Sequence, residues 1–500
     1  MRETTSRRDF LKRTAALSAG GIATAAISAT QNGVAATRAQ ARPNIVFILI
    51  DDMRFDAMSL MGHPFLETPH LDALACNGVL LENAFVTTSL CSPSRASILT
   101  GMYAHTHGVL DNTTALPADA PLFSVALQEA GYDTAFIGKW HMGGGSDAPQ
   151  PGFNRWVSFR GQGVYLNPTF NVDGVQTKHA GHNADLLTDY AEQFLKAPRE
   201  KPFFLYLSHK AVHAEFIPAD RHKGCYADKK YPHPDSMADT EENYRGKPEW
   251  VRRQRRSWHG VDGMYNNSTD FDIFVRDYAE TMRAVDDSVG RVVETLRTLG
   301  QLENTFILFT SDNGFLFGEH GLIDKRTMYE ASIRVPMIAH GPGLFAGARR
   351  LPELVLNIDI APTLLDAAGV AIPASMQGRS FWPLLCGEEV QWREEFLYEY
   401  FWERSFPQTP TVLGVRGDRY KLMVYHGIWD RYELYDLPED PGERNNLLGP
   451  YLQRHEAGAL EAFIRNTAPE PLKSIFDDMY ARLQRLLKET GTGLDPVWTR

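Results

Sequence analysis

Cysteine is scarce in this chain. The 500 residues hold four, Cys76, Cys91, Cys225 and Cys386, with no CxxC spacing among them. That removes a zinc site built on paired thiolates and leaves disulfides only as pairings between scattered thiols. A basic surplus is missing too: 51 Lys and Arg stand against 62 Asp and Glu, a formal net charge of −11, which argues against a nucleic-acid partner. The apolar stretch "TAALSAGGIATAAISA" falls short of the roughly 20 residues of a membrane-spanning helix and is rich in Ala and Gly. No stable membrane insertion is expected. Internal repeats are absent as well.

What the N-terminus does have is an export pattern. Paired Arg7 and Arg8 precede Phe10 and Leu11, the Ala/Gly run follows, and Ala39-Gln40-Ala41 offers a small-residue cleavage site. Residues 1–41 therefore read as a twin-arginine (Tat) signal, which implies a bacterial protein exported to the periplasm or beyond, with the Tat machinery as a transient partner. A disordered basic tail is the alternative reading. Removing the segment's +4 would take the net charge from −11 to −15.

Downstream, "PNIVFILIDD" carries an unbroken apolar run, Ile45 to Ile50, that ends in two aspartates. A run without alternation is how a strand buried on both faces reads. Helical stretches ("TPHLDALACNG", "PLFSVALQEAGY", "FVRDYAETMRAVDDSVGRVVETLRTLG") alternate with strand-like ones ("DTAFIGKWH", "PFFLYLSH", "TFILFTSDNG"). This alternation predicts an α/β fold, a mostly parallel sheet sandwiched by helices, over residues 42–375. From 376 to 500 the texture shifts to antiparallel strands and a closing helix, a smaller α+β subdomain. Residues 220–270 are polar and loop-rich, with a basic cluster between Arg245 and Arg256 that reads either as a solvated loop or as a docking patch for a polyanion.

The polar clusters Asp51-Asp52, Lys139/His141, His209/His213 and Asp312-Asn313 each lie just past an apolar strand, where open α/β sheets bind their ligands. Asp51, Asp52, Asp312 and Asn313 are hard oxygen donors and would suit Ca²⁺ or Mg²⁺; singly, each also fits a strand-end turn or helix cap. Lys139 and His141 point to one side of an extended segment. With Arg95 and Lys325 they would suit an oxyanion, sulfate or phosphate. His213 is a candidate general acid, with His209 competing for the role.

"CSPSR" at Cys91–Arg95 and the "ASILTG" after it resemble the signature of the formylglycine-dependent sulfatases, within the alkaline phosphatase-like superfamily. The likeness runs from about Pro43 to Leu448 and takes in "DD", "GKWH", the histidine segment, "SDNG", "GEHG" with the following "DK", and "ELYDLPEDPGE". It implies that a maturase oxidises Cys91 to formylglycine, whose hydrated aldehyde supplies the nucleophile. It further implies that Asp51, Asp52, Asp312 and Asn313 hold one Ca²⁺ that also contacts residue 91. Arg95 would support residue 91, Lys139, His141 and Lys325 would grip the sulfate, and His213 would protonate the leaving oxygen. The expected substrate is a sulfated carbohydrate, with N-acetylglucosamine 6-sulfate or iduronate 2-sulfate units as candidates. A phosphonate or phosphate ester hydrolase of the same superfamily, and a catalytically silent sulfated-glycan-binding protein, are the competing readings.

Overall fold

The run Asn44–Ile50 forms a strand, β1, buried along its whole length. Its alternate residues serve two different cores: Ile45, Phe47 and Leu49 face one, Val46, Ile48 and Ile50 the other. An unbroken apolar stretch is what a strand covered on both faces requires. In the computed structural model, which describes residues 42–266, 270–452 and 459–492, β1 lies inside a ten-stranded sheet. The other members are β2 (Val79–Phe85), β3 (Asp133–Lys139), β4 (Arg155–Phe159), β5 (Thr169–Val172), β6 (Val175–Lys178), β7 (Phe203–Ser208), β8 (Thr305–Ser311), β11 (Met337–His340) and β12 (Arg349–Leu356). Between β8 and β11 the chain makes a small separate hairpin, β9 (Leu316–Phe317) and β10 (Ile323–Asp324).

The sheet order is β12-β2-β11-β8-β1-β7-β3-β4-β5-β6. From β8 to β4 all pairings are parallel, as are those of β2 with β12, whereas β11 runs against both its neighbours. The carboxyl ends of β1, β3, β4, β7 and β8 consequently share one edge. Helices Pro69–Asn77, Asn183–Lys196 and Phe271–Thr298 cover one face, and Cys91–Thr100, Phe123–Glu129 and Ile360–Ala367 the other. The export segment expected over residues 1–41 lies outside the described residues, and no helix among those described is long and apolar enough to cross a membrane.

A second, antiparallel sheet follows: β13 (Glu395–Tyr400), β14 (Val412–Gly417), β15 (Tyr420–Tyr425) and β16 (Tyr432–Asp436), with helix Leu472–Thr490 packed on it. Its inner residues Phe396, Val415 and Leu422 belong to the same core as Phe47 and Phe85. All four cysteines are free thiols. The arginines of the 245–256 cluster are largely committed locally, Arg252 to Asp239 and Glu241, Arg253 to Glu249 and Arg255 to Asp262. That favours a structured loop over a docking patch.

His105, just after helix Cys91–Thr100, is tied to the second sheet and its packed helix. Its Nδ1 donates to Glu399 Oε2 at 2.7 Å and its Nε2 to the Thr490 carbonyl at 3.0 Å, a geometry that uses both ring protons. Burial alone would depress its pKa, but the Glu399 carboxylate outweighs burial and raises it. A raised folded-state pKa means stabilisation that is complete below the ordinary histidine value and fades as pH climbs through the raised one. His105→Gln should therefore cost about 1.5–3 kcal/mol at pH 6 and clearly less at pH 9, read from denaturant unfolding at both pH values. An equal cost at both would show the imidazolium to be unimportant.

Candidate active site

The backbone ladder of the sheet continues past the strand ends. Asp51 N–H donates to the Ala211 carbonyl (3.0 Å), Val212 N–H to Asp51 O (2.7 Å) and Asp312 N–H to Ile50 O (3.0 Å). These bonds hold the polar residues after β1, β7 and β8 side by side at the carboxyl edge. Gly138 in β3 is a steric requirement of the same edge: with φ near +129°, a Cβ there would sit 1.7 Å from the Ser208 carbonyl oxygen. Any side chain at 138 would push β3 from β7 and carry Lys139 away.

Cys91 is the first residue of the helix Cys91–Thr100, which closes at Gly101 with φ 68°. All ten helix residues are buried, Cys91 completely. Its Sγ lies 3.5 Å from Asp51 Oδ1, and the ligand atoms of Asp51, Cys91 and Asp312 lie within 4.8 Å of one another. Arg95, one turn on, falls on the same helix face. Its Nε donates to Asp312 Oδ2 at 2.8 Å, and its Nη1 donates to the Lys139 carbonyl (2.7 Å) and to Ser208 Oγ (2.8 Å). Its Nη2 approaches Asp51 Oδ2 at 3.7 Å.

Lys139 Nζ is paired with the Asp51 carboxylate and also donates to Gln162 Oε1 at 2.5 Å. Lys325, just beyond β10, is paired with Asp52. Asp52, at φ 61°, accepts from Asn313 Nδ2 at 2.7 Å, while its own N–H donates to Asp312 Oδ1 at 3.1 Å. His141, at φ 67°, meets Ser92, whose Oγ donates to its carbonyl at 3.0 Å. His213 Nε2 points toward Asp52 Oδ2 at 3.9 Å. His209 faces away, its Nε2 against Ser288 Oγ at 3.0 Å beneath helix Phe271–Thr298. The competition between the two histidines thus resolves by direction: His213 faces the pocket and His209 the core.

Of the residues singled out from the sequence, Asp51, Asp52, Cys91, Arg95, Lys139, His141, His213, Asp312, Asn313 and Lys325 meet at one place, and His209 does not. Ser92, Gln162 and Lys210 join them without having been anticipated. Gln162 carried a faint signal, lying between two glycines just past a strand, and Lys210 another, between the two histidines.

The electrostatics follow from burial. Burial would raise the Asp51 carboxyl, but Lys139 above all, then His213, Arg95 and Lys325, hold it well below the usual carboxylate range. Asp52 is pushed up to about 7 by burial and by Asp51, Asp312 and Asp324, against the pull of Lys325. Asp312 is raised by burial and by Asp51. Burial followed by Lys139 depresses both His141 and His213, so both rings rest neutral. The Cys91 thiol is driven far above its ordinary value by burial, with Asp51 and Asp52 adding to it, so it stays protonated at neutral pH.

Three buried carboxylates beside one another call for positive charge. The donor set is all oxygen apart from residue 91, and Asn313 Oδ1 is buried with no hydrogen-bond partner, an acceptor already aimed and desolvated. Those features fit a hard divalent cation such as Ca²⁺ or Mg²⁺. Adjoining the pocket is a cleft of ≈420 Å³ lined by Gln162, Tyr165, Lys210, His213, Trp258 and Tyr265.

Residues 43–370 match the Sulfatase family, and residues 318–468 match the family described as N-sulphoglucosamine sulphohydrolase, C-terminal. An N-acetylglucosamine-6-O-sulfatase of Bacteroides thetaiotaomicron is 33% identical over 472 residues, which cover 82% of this chain and 83% of that one. The human N-acetylglucosamine-6-sulfatase is 32% identical over 397 residues, 74% of this chain and 69% of its own. Among solved structures, one in complex with its substrate D-glucosamine-2-N,6-O-disulfate is 31% identical, with a TM-score of 0.79 across 91% of this chain and 99% of that one.

Proposed function

The chain belongs to the sulfatase family and has its alkaline phosphatase-like fold, and from that premise we propose that it removes the 6-O-sulfate from glucosamine units of glycosaminoglycans. The observation that carries the chemistry is Cys91 at the head of a buried helix, facing Asp51 and Asp312, with Lys139, His141, Lys325 and His213 around it. The relatives named for glucosamine 6-sulfate support the position on the sugar. The glucosamine nitrogen would be acetylated or sulfated. Residues 1–41 would export the enzyme by the twin-arginine route, and the boundary between catalytic domain and C-terminal subdomain would fall near residue 375.

A protonated, buried thiol is a poor nucleophile, and a cysteine attacking sulfur would leave a thiosulfate ester without an easy exit. Formylglycine at position 91 would supply a gem-diol instead, with one hydroxyl to act as nucleophile and a second to lose its proton as sulfate leaves and the aldehyde re-forms. Asp51, Asp52, Asp312 and Asn313 would hold Ca²⁺ or Mg²⁺ against residue 91, and the ion supplies Lewis-acid stabilisation of charge on the transferring group. Lys139, Lys325 and His141 would bind the sulfate oxygens, the two lysines turning from carboxylates they already touch. Arg95 would keep Asp312 and Asp51 ionised and aligned. His213 would donate the proton at Nε2 to the leaving oxygen; burial first, and then the Lys139 and Lys325 charges, keep its ring neutral, and an incoming anion would offset the second of these.

Release of inorganic sulfate from N-acetylglucosamine 6-sulfate, and not from iduronate 2-sulfate, is the test, read by ion chromatography. Release from the iduronate ester alone would overturn the assigned position. Faster turnover of a phenyl phosphonate ester than of 4-nitrophenyl sulfate would favour the phosphonate hydrolase reading, and binding without release would favour a silent glycan-binding protein. His213→Ala should lower kcat by about 10²–10⁴-fold on the sugar sulfate. On 4-nitrophenyl sulfate the loss should be far smaller, because nitrophenolate leaves without a proton. Equal losses on both would remove His213 from the acid role.

A further inference from the structure

Lys210 has no role in the chemistry above, yet it is a lysine only 4% exposed. Its backbone follows β7, where successive side chains point to opposite sides: His209 goes to the core and Lys210 to the cleft beside His213. Its ammonium has neither a hydrogen bond nor a carboxylate partner among the described residues. It lies 4.5 Å from the centre of the Tyr165 ring. The nearest acids are already engaged, Asp51 by Lys139 and Asp52 by Lys325. Burial, and then repulsion from Lys139, lowers its pKa to about 8, so the amine is still mostly charged at pH 7. A largely buried cation without a paired carboxylate is costly to keep, and the Tyr165 ring face and the engaged charges of Asp51 and Asp52 offset that cost only in part.

The surroundings suit a saccharide. Tyr165, Trp258 and Tyr265 give the cleft apolar walls, with Trp258 and Tyr265 in contact at 4.1 Å between ring centres. Gln162, which lines the same cleft, is bonded to Lys139, so the cleft opens directly from the sulfate pocket.

We propose that Lys210 is a second anion subsite, taking a further negatively charged substituent of the saccharide whose scissile sulfate occupies the Lys139–Lys325 pocket. This rests on the proposed glycan sulfatase function and deepens it: the preferred substrate carries at least two anions, one cleaved and one read. The second is either an N-sulfate on the same glucosamine or the carboxylate of a neighbouring uronate. Lys210 is then a specificity residue, acting on KM through the part of the substrate that does not react.

The test compares sulfate release from glucosamine 6-sulfate carrying an N-acetyl group, the same sugar carrying an N-sulfate, and a uronate-containing disaccharide of the N-acetylated sugar, with the carboxyl intact or reduced. The wild-type enzyme should show a KM at least about tenfold lower for one doubly anionic substrate than for its singly charged counterpart, with kcat little altered. The arm in which that gap appears identifies the source of the second anion. Lys210→Met should erase the gap by raising the lower KM, and Lys210→Arg should restore most of it. Equal wild-type KM values across all arms would overturn the subsite whether or not a variant folds. So would a Lys210→Met variant that keeps the gap and loses kcat equally everywhere. Failure of the converted wild-type enzyme to release sulfate from any of these sugars would instead overturn the assigned 6-O activity, and the subsite with it.

Discussion

Cys91→Ala is expected to lower sulfate release by about 10⁴-fold or more in a protein that folds as the parent does. The side chain removed is small, and among the described residues its polar contact is the 3.5 Å approach of Sγ to Asp51. The helix that starts there is held by other bonds, including Ser94 N–H to Leu90 O at 2.9 Å. Stability should therefore change by no more than about 1–2 kcal/mol, the ordinary range for a point substitution. Cys91→Ser separates nucleophile from exit. It keeps an oxygen at the helix head but has no second hydroxyl, so it should release alcohol at most once per molecule and no sulfate. In the active parent, the peptide containing residue 91 should weigh about 18 Da less than its thiol form. An intact thiol in active protein, or an active Cys91→Ala variant, would each defeat the mechanism.

Arg95→Met should be the most damaging of these changes to stability, and it should cut turnover as well. Arg95 is a buried guanidinium whose Nε and Nη1 are committed to Asp312, to the Lys139 carbonyl and to Ser208. Removing one member of a buried ion pair costs about 3–5 kcal/mol, because the partner remains desolvated and unpaired. Here Asp312 loses its ion-pair partner and keeps the Asp52 N–H, and Asp51 loses one of its cations. Sulfate release should fall by at least about 10²-fold even where the variant folds, since both acids would shift toward their protonated forms and away from ligand geometry. Arg95→Lys keeps the charge but not the planar fork and should fall between the two. A Met variant that melts within about 1 kcal/mol of the parent, with parental turnover, would show the network to be dispensable.

Much of this was legible in the chain because strands buried on both faces leave a plain trace. Ile45–Ile50 reads as an interior strand, and residues that follow such runs in a parallel sheet gather at one edge, as Asp51, Lys139, His213 and Asp312 do. The helix Cys91–Thr100 was not legible as a helix. All ten of its residues are buried, half of them are Ser, Thr or Arg, and no apolar stripe repeats at helical spacing. The antiparallel members β5, β6 and β11 are four residues each, too short to show a period. Lys139 and Lys325 were recognised as cations for an oxyanion, but their pairing with Asp51 and Asp52 depends on which strand ends become neighbours. Lys210 escaped notice because a lysine reads as a surface residue until its burial is seen.

On the proposed mechanism, the complete enclosure of the Cys91–Thr100 helix would set a deadline. An enzyme that oxidises Cys91 must bind the segment around it, and in the finished fold no atom of that residue reaches solvent. The twin-arginine route carries proteins that have already folded, so a chain exported that way would have to be converted while still unfinished, in the compartment where it is made. Molecules that close first would keep a buried thiol and lack the proposed nucleophile. The active fraction in any host would then be decided by a race between maturation and folding, and slowing the folding would raise it.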